Sequence, residues 1–127
     1  MKIQESAENY LETILILLKR KGNVRSIDIA SELDYSKPSV SVAMKNLREN
    51  GYIQVDGGGY ITLTEQGRKI AETMYERHTI LSDMLITLGV DQKTAVEDAC
   101  RIEHVISSES FEALKTHIKK HAGRLPE

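Results

Sequence analysis

The stretch "YIQVDGGGYITLT" at residues 52–64 constrains the fold more than any other part of the chain. Two short runs rich in β-branched and aromatic residues flank Asp56-Gly57-Gly58-Gly59, and this pattern predicts a β-hairpin. On both sides of the hairpin, apolar residues recur every three or four positions, which predicts α-helices. A single hairpin between helical segments predicts a mainly α-helical fold that carries one small wing.

Three helical segments precede the hairpin. The first covers residues 6–21, and Gly22 is a typical helix stop. The second, "RSIDIASELD", has Ser26 as its predicted cap. We expect its apolar residues to face the core: Ile27, Ala30 and Leu33. The third, "YSKPSVSVAMKNLRENG", has Ser36 as its cap and Pro38 in the first turn, where a missing N–H costs no hydrogen bond. Together with the hairpin, these segments predict a winged helix-turn-helix.

Helical periodicity returns after the hairpin. The stretch "EQGRKIAETMYERHTILSDMLITLG" predicts one long helix that ends at Gly89. A second helix is predicted to begin at an Asp91 cap and a third near Ser108. Because these two helices are too short to form a core alone, we expect them to pack on the long helix and on a second copy of the chain. The predicted domains are the winged helix-turn-helix at residues 1–64 and a helical domain at residues 65–127.

The distribution of charge along the chain is a better argument for DNA binding than the net charge is. A formal net charge of −2 at first argues against nucleic acid. Residues 19–51, however, contain seven Lys and Arg against four Asp and Glu, so positive charge is concentrated in the predicted helix-turn-helix. This excess alone is weak evidence, because many solvated helix faces carry as much.

Three features of the sequence are relevant to the cellular localisation of the protein. The sequence has no run of about 18 apolar residues, so we expect no membrane span. The first ten residues are too polar for the core of a signal peptide. A single cysteine supports no internal disulfide framework, which fits the reducing cytoplasm.

Small polar and basic residues crowd the start of the predicted recognition helix. Serine hydroxyls can donate to phosphates or bases, Pro38 can contact a thymine methyl group, and lysine and arginine attract the DNA backbone. Tyr60 and the wing glycines could reach a flanking groove. Ser36 and Pro38 also have a simpler interpretation as ordinary capping residues. The candidate DNA-binding residues are Arg25, Ser36, Lys37, Pro38, Ser39, Ser41, Lys45 and Arg48.

The segment "ACRIEHVIS" at residues 99–107 places three potential metal ligands at helical spacing. Cys100, Glu103 and His104 would share one helix face, and their side chains all bind transition metals. The spacing alone leaves open that Cys100 is a small core residue and that the Glu-His pair is solvated. Further donors are available on other predicted helices: Asn9, Glu12 and His78.

Four segments make the chain resemble a known family, the diphtheria toxin repressor and manganese transport regulator family of metalloregulators. These segments are "ENYLETI", "SKPSVSVAMKNLRENG", "LTEQGRKIAETMYERH" and "EDACRIEHVIS". The resemblance extends from residue 6 to about residue 115. It implies a cytoplasmic, homodimeric repressor in which a divalent metal brings two winged helices into register with palindromic operator DNA. It also implies that residues 65–127 form a metal-binding and dimerisation domain.

The resemblance assigns metal ligands residue by residue. Cys100, Glu103 and His104 match ligands of the family, and Cys100 matches the iron branch in particular. His78 matches a histidine that binds metal in both branches, in the second site, and Glu12 matches a ligand of the manganese branch. Asn9 departs from the family pattern, which has aspartate or methionine there.

Three further positions depart from the iron branch. Its ancillary metal site has ligands where this chain has Ser82 and Val96, so the resemblance does not imply that second site. A glutamine that helps to read DNA in that branch is Val42 here.

The choice of metal follows from the thiolate and the resemblance together. Thiolate disfavours manganese, so Fe²⁺ is the first expectation and Mn²⁺ the second. Zn²⁺, Co²⁺ or Ni²⁺ could occupy the site in vitro, because affinity rises along the first transition series.

Other function classes make different predictions. A winged-helix regulator that ignores metal and responds to a small molecule or protein partner would bind DNA equally well with a chelator present. An enzyme is not expected, because the sequence has no H-E-x-x-H motif, phosphate-binding glycine loop or nucleophile elbow.

Overall fold

The computed structural model describes residues 5–120, and within that range the chain forms six α-helices and two β-strands. In chain order these are α1 (Glu5–Lys21), α2 (Ser26–Leu33), α3 (Lys37–Glu49), β1 (Ile53–Val55), β2 (Ile61–Leu63), α4 (Glu65–Thr87), α5 (Gln92–Val105) and α6 (Ser108–Lys120). The chain divides into an N-terminal unit, residues 1–73, and a C-terminal unit, residues 74–127. The boundary between them falls inside α4. Among the described residues, no helix is both long and apolar enough to cross a lipid bilayer.

The core of the N-terminal unit joins three helices to the wing. Leu11 and Ile14 of α1, Val40 of α3 and Ile61 of β2 are all at most 1% exposed. Burying one such side chain contributes about 1.5–3 kcal/mol, so this cluster is sufficient to hold the short helices together. The predicted winged helix-turn-helix is confirmed.

The start of α2 differs from the prediction. The residue at the N-cap is Arg25, and Ser26 is already the first helical residue, so Ser26 is not the cap. The carboxylate of Asp28 compensates by accepting a hydrogen bond of 2.8 Å from the backbone N–H of Arg25. A side chain at the third helical position that reaches back in this way satisfies a donor that the helix itself leaves unpaired.

The buried face of α2 also differs from the prediction. Ile29 and Ala30 are buried and Leu33 packs against the same core, whereas Ile27 is 54% exposed. The prediction that Ile27 faces inward is therefore wrong. Ile27 lies about 200° around the helix axis from Ile29, and the fold buries the side that Ile29 occupies.

The recognition helix α3 begins as the sequence predicts. The side chain of Ser36 accepts a hydrogen bond of 3.3 Å from the backbone N–H of Ser39, and Pro38 lies in the first turn. Val40, Met44 and Leu47 point into the core. The opposite face of α3 is therefore left to solvent.

The wing is an antiparallel hairpin in which Ile53 pairs with Leu63 and Val55 pairs with Ile61. A carboxylate oxygen of Asp56 accepts hydrogen bonds of 2.9 Å from the backbone N–H groups of both Gly58 and Tyr60, which closes the loop. Because Ile61 also donates its N–H to the carbonyl of Val24, the wing is tied to the loop that precedes α2.

Gly67 allows α4 to approach the backbone near the wing. A Cβ atom at this position would lie 2.0 Å from the carbonyl oxygen of Tyr52, which no side chain tolerates. The hydroxyl of Thr64 accepts a hydrogen bond of 3.1 Å from the N–H of Gly67 at the start of the helix. Glycine is thus required here by close packing between two backbone segments.

The C-terminal unit is a small helical cluster. Leu81 of α4, Ala99 of α5 and Phe111 of α6 are at most 2% exposed and form its core. Helix α4 is continuous to Thr87, as predicted, and Gly89 follows with a positive φ of 102°. Asp91 caps α5 as predicted, because its carboxylate accepts a hydrogen bond of 3.1 Å from the N–H of Lys93.

Candidate metal centre and nucleic-acid interface

Glu103 is the most deeply buried charged residue of the C-terminal unit, with 0% of its surface exposed. Helix α5 carries it toward α4, where its Oε1 atom lies 2.8 Å from Nδ1 of His78. On the next residue of α5, Nε2 of His104 lies 3.6 Å from Oε2 of Glu103. The side chain of His104 is 3% exposed and that of His78 is 25% exposed. One buried carboxylate thus has an imidazole beside each of its oxygens.

This donor set suits a divalent transition metal. Imidazole nitrogen and carboxylate oxygen together accommodate iron, manganese, zinc and nickel, and the surrounding core limits access of water. The three residues come from two helices that are fixed against each other by the Leu81–Ala99–Phe111 core. His78, Glu103 and His104 therefore fit a metal, and binding would require both imidazoles and the carboxylate in their unprotonated forms.

Arg77 holds the end of α5 in place. Its side chain is buried, and its Nη1 atom donates to the carbonyl oxygens of Glu103 at 3.0 Å and Ile106 at 2.9 Å. The guanidinium also donates to the hydroxyl of Ser108 and lies over the ring of Phe111, 5.5 Å from its centre. Carbonyl groups at a helix C-terminus have no hydrogen-bond donor within the helix, and their partial negative charge attracts a cation. Arg77 supplies both hydrogen-bond donors and a positive charge.

Arg77 is not among the predicted site residues, although the sequence contains a signal for its burial. Arg77 lies three positions after Met74 and four before Leu81, both of which are buried. Its position on the apolar face of α4 therefore indicated that this arginine would be buried. A buried arginine normally needs several hydrogen-bond acceptors, and here backbone carbonyls supply most of them.

Ser82 replaces a potential ligand on the same helix. Its hydroxyl donates to the carbonyl of His78 one turn earlier, and the residue is 6% exposed. A hydroxyl engaged with the backbone in this way supports the helix and adds no charged donor to the cluster.

The other predicted ligands are Cys100, Asn9 and Glu12. Cys100 is on α5, three positions before Glu103, and its side chain is exposed. Asn9 and Glu12 lie on α1 in the N-terminal unit, three positions apart. The carbonyl of Asn9 accepts a hydrogen bond of 2.8 Å from the hydroxyl of Thr13. Glu12 is 5% exposed, which is uncommon for a glutamate.

The predicted DNA-binding residues of α3 form an exposed surface. All of them except Arg25 lie on this helix or at its cap, and all are exposed: Ser36, Lys37, Pro38, Ser39, Ser41, Lys45 and Arg48. The first turn of α3 contains no acidic residue. Its N-terminal N–H groups and the nearby lysines make this surface suitable for phosphate.

Arg25 is the N-cap residue of α2, and its side chain contacts the wing. Its guanidinium carbon lies 5.2 Å from the centre of the Tyr60 ring, and its side chain passes close to Gly59. A cleft of about 570 Å³ beside the wing is lined in part by Arg48, Gln54, Tyr60 and Thr62. The end of α3 and the hairpin therefore line one cleft, whose charged residues are Arg48 and Asp56.

Two family models match the chain. The model described as iron dependent repressor, N-terminal DNA binding domain, matches residues 2–59. The model described as iron dependent repressor, metal binding and dimerisation domain, matches residues 64–122.

Two curated relatives match over nearly the whole chain. The transcriptional regulator MntR of Escherichia coli is 33% identical over 121 residues, which are 95% of this chain and 78% of the relative. An HTH-type transcriptional regulator of Methanocaldococcus jannaschii is 33% identical over 120 residues, which are 93% of this chain and 96% of the relative.

Two solved structures share the fold. The manganese regulator SloR superposes with a TM-score of 0.79 at 26% identity, covering 94% of this chain. A manganese-dependent transcriptional repressor in complex with manganese superposes with a TM-score of 0.81 at 25% identity, covering 89% of this chain. This chain spans 55% and 52% of the lengths of those two chains, respectively.

Proposed function

Because the chain belongs to the diphtheria toxin repressor and manganese transport regulator family of metal-dependent, DNA-binding transcriptional regulators, we propose that it is a repressor that controls iron or manganese homeostasis. A divalent metal increases its affinity for operator DNA. The relatives named above are transcriptional regulators, which supports a regulator over an enzyme. Because such a regulator needs access to DNA, we propose that the protein is cytoplasmic.

The observation that carries this proposal is the buried carboxylate of Glu103 between two imidazoles. His78, Glu103 and His104 bind the ion, and Cys100 joins them from the preceding turn of α5. Asn9 and Glu12 are proposed as ligands from the family resemblance. The bound metal supplies a divalent positive charge that these side chains share.

Fe²⁺ is the proposed metal, with Mn²⁺ as the second candidate. The thiol of Cys100 supports iron, because thiolate is a poor ligand for manganese. Manganese is supported by the compared structures, which are named for that metal. Zn²⁺, Co²⁺ and Ni²⁺ remain substitutes in vitro.

We propose that the active form is a homodimer on palindromic double-stranded DNA. Several large apolar side chains of the C-terminal unit are exposed in the single chain: Ile86, Leu88, Val96 and Val105. Covering them with a second copy would remove apolar surface from water. Residues 1–64 then form the DNA-binding domain, and residues 65–127 form the metal-binding and dimerisation domain.

The test is a metal titration of DNA binding. The metal-stripped protein is first used to select duplexes from a random DNA library in the presence of excess Mn²⁺ without oxygen. Fluorescence anisotropy then measures affinity for a selected duplex as Fe²⁺ or Mn²⁺ is added. We expect each metal to increase the affinity by up to roughly 150-fold, the upper end of usual allosteric coupling. A chelator should reverse the effect.

The result that would overturn the proposal is equal affinity with metal and with chelator. In that case the chain would be a winged-helix regulator that responds to another signal. Comparing the Fe²⁺ and Mn²⁺ titrations also decides between the two proposed metals.

A further inference from the structure

One aliphatic residue of α3, Val42, is exposed to solvent. The other large apolar residues of the helix, Val40, Met44 and Leu47, are buried, whereas the side chain of Val42 is 60% exposed. One exposed aliphatic residue is ordinary on a protein surface, so its exposure alone indicates nothing. Its position on the helix is what makes it informative.

Val42 lies in the centre of the exposed face of α3. Pro38 precedes it by four residues and Lys45 follows it by three, so these residues are neighbours on the helix surface. Both are exposed, as is Ser41 beside them. The face therefore presents an apolar strip, Pro38 and Val42, next to a lysine and a serine. The basic and hydroxyl groups suit phosphates, but Val42 has no group that could bind one.

The major groove of DNA offers one apolar feature to such a side chain. Each thymine presents a C5-methyl group there, and none of the other three bases carries a methyl group at its edge. Valine neither donates nor accepts hydrogen bonds, and covering a polar base edge with it would leave that edge without a partner. Because valine is also stiff at χ1, it holds its two methyl groups in place at little entropic cost.

We propose that Val42 is a specificity-determining residue that contacts the C5-methyl group of thymine at one position of each operator half-site. This inference rests on the proposed DNA-binding function and assigns its base preference to a particular side chain. It places a second apolar contact on α3, one turn beyond Pro38.

The experiment removes single methyl groups from the DNA. Duplexes selected by the wild-type protein from a random library in excess Mn²⁺ are resynthesised with deoxyuridine in place of each thymine in turn. Deoxyuridine pairs as thymine does and lacks only the methyl group. Burying one methyl group increases the affinity about fourfold. We therefore expect the affinity to fall about fourfold when one half-site is changed and about 16-fold when both are changed.

Variants assign the effect to Val42. In V42A, the response to deoxyuridine should disappear at one thymine position of each half-site and persist at any thymine that Pro38 contacts. V42I retains an aliphatic side chain and should keep the response. Ile27 is an exposed aliphatic residue of α2 and provides a matched control, so I27A should respond to deoxyuridine at the same positions as the wild type.

Two results overturn the inference. One is a wild-type protein that is insensitive to deoxyuridine at every thymine, and the other is a V42A profile identical to that of the wild type. Binding that does not depend on metal contradicts the proposed metal response, but the comparison of V42A with wild type still decides this inference. A protein that selects no DNA under any metal condition contradicts both.

Discussion

Nδ1 of His78 lies 2.8 Å from Oε1 of Glu103, which joins α4 to α5 across 25 positions of sequence. The carboxylate is wholly buried, and Arg77, the neighbour of His78, donates a hydrogen bond to the carbonyl of the same glutamate. Adjacent residues of α4 thus bind both the side chain and the backbone of Glu103. This arrangement holds the carboxylate in one position, which is what a metal ligand needs.

Removing an imidazole from the cluster should abolish the metal response. In H104A, we expect the increase in DNA affinity on adding Mn²⁺ or Fe²⁺ to fall from as much as roughly 150-fold to near unity, because one proposed ligand is lost. Anisotropy titrations with metal and with chelator measure this ratio. H117A removes an exposed histidine of α6 and serves as the matched control. A normal metal response in H104A would show that His104 is not a ligand.

Replacing Arg77 should loosen the end of α5. R77M keeps most of the volume of the side chain but leaves the carbonyls of Glu103 and Ile106 without this donor, so we expect a loss of about 2–3 kcal/mol in the free energy of unfolding. Urea denaturation of the metal-free protein measures it. As a control, K115M breaks the 2.7 Å ion pair with the partly exposed Glu76 and should cost much less, because exposed ion pairs contribute little to stability. Equal losses in the two variants would contradict the role assigned to Arg77.

Removing a basic residue of α3 should weaken DNA binding without changing sequence preference. For K45A and for R48A, we expect the slope of log affinity against log salt to fall by about one unit each, because one phosphate contact is lost. Binding to selected and to unrelated duplexes should decrease by the same factor. K69A removes an exposed lysine of α4 and is the charge-matched control. An unchanged salt slope in K45A would place Lys45 away from phosphate.

Adding one methyl group at Gly67 should destabilise the N-terminal unit. The new Cβ of G67A would lie 2.0 Å from the Tyr52 carbonyl oxygen, so the backbone must move. We expect a loss of about 1–3 kcal/mol, the usual cost of overpacking, measured by urea denaturation. The same change at Gly57 meets no atom within 4 Å, so G57A should leave stability nearly unchanged. Wild-type stability in G67A would be incompatible with this packing.

The contribution of Asp28 to stability should depend on pH. A hydrogen bond from Lys21 and one from the backbone N–H of Arg25 lower the pKa of Asp28 below its ordinary value of 3.8. A lowered pKa means that the ionised form stabilises the folded state, so this contribution is present above pH 3.8 and is lost as the pH falls below it. D28A should therefore be less stable than wild type by about 1 kcal/mol at neutral pH.

The check is a comparison of the two proteins by thermal denaturation over a range of pH. The difference between them should shrink on acidification. A difference that is constant down to acidic pH would show that the charge of Asp28 does not contribute.

Features that depend on residues close together in the chain could be predicted from the sequence. The cap at Ser36, the stop at Gly89 and the hairpin around Asp56 were all predicted, because each depends on residues within about four positions of one another. The family was also evident from the sequence, since the segments that carry the resemblance are continuous.

The buried side of α2 and the surroundings of Glu103 depend on long-range packing and could not be predicted from the sequence. Ile27 and Ile29 are equally apolar, and the packing of α2 against other segments selects Ile29. The partners of Glu103 come from His78, 25 positions earlier, and from Arg77, 26 positions earlier. A buried charged group needs partners, and those of Glu103 lie on distant residues. Local periodicity does not identify such distant partners.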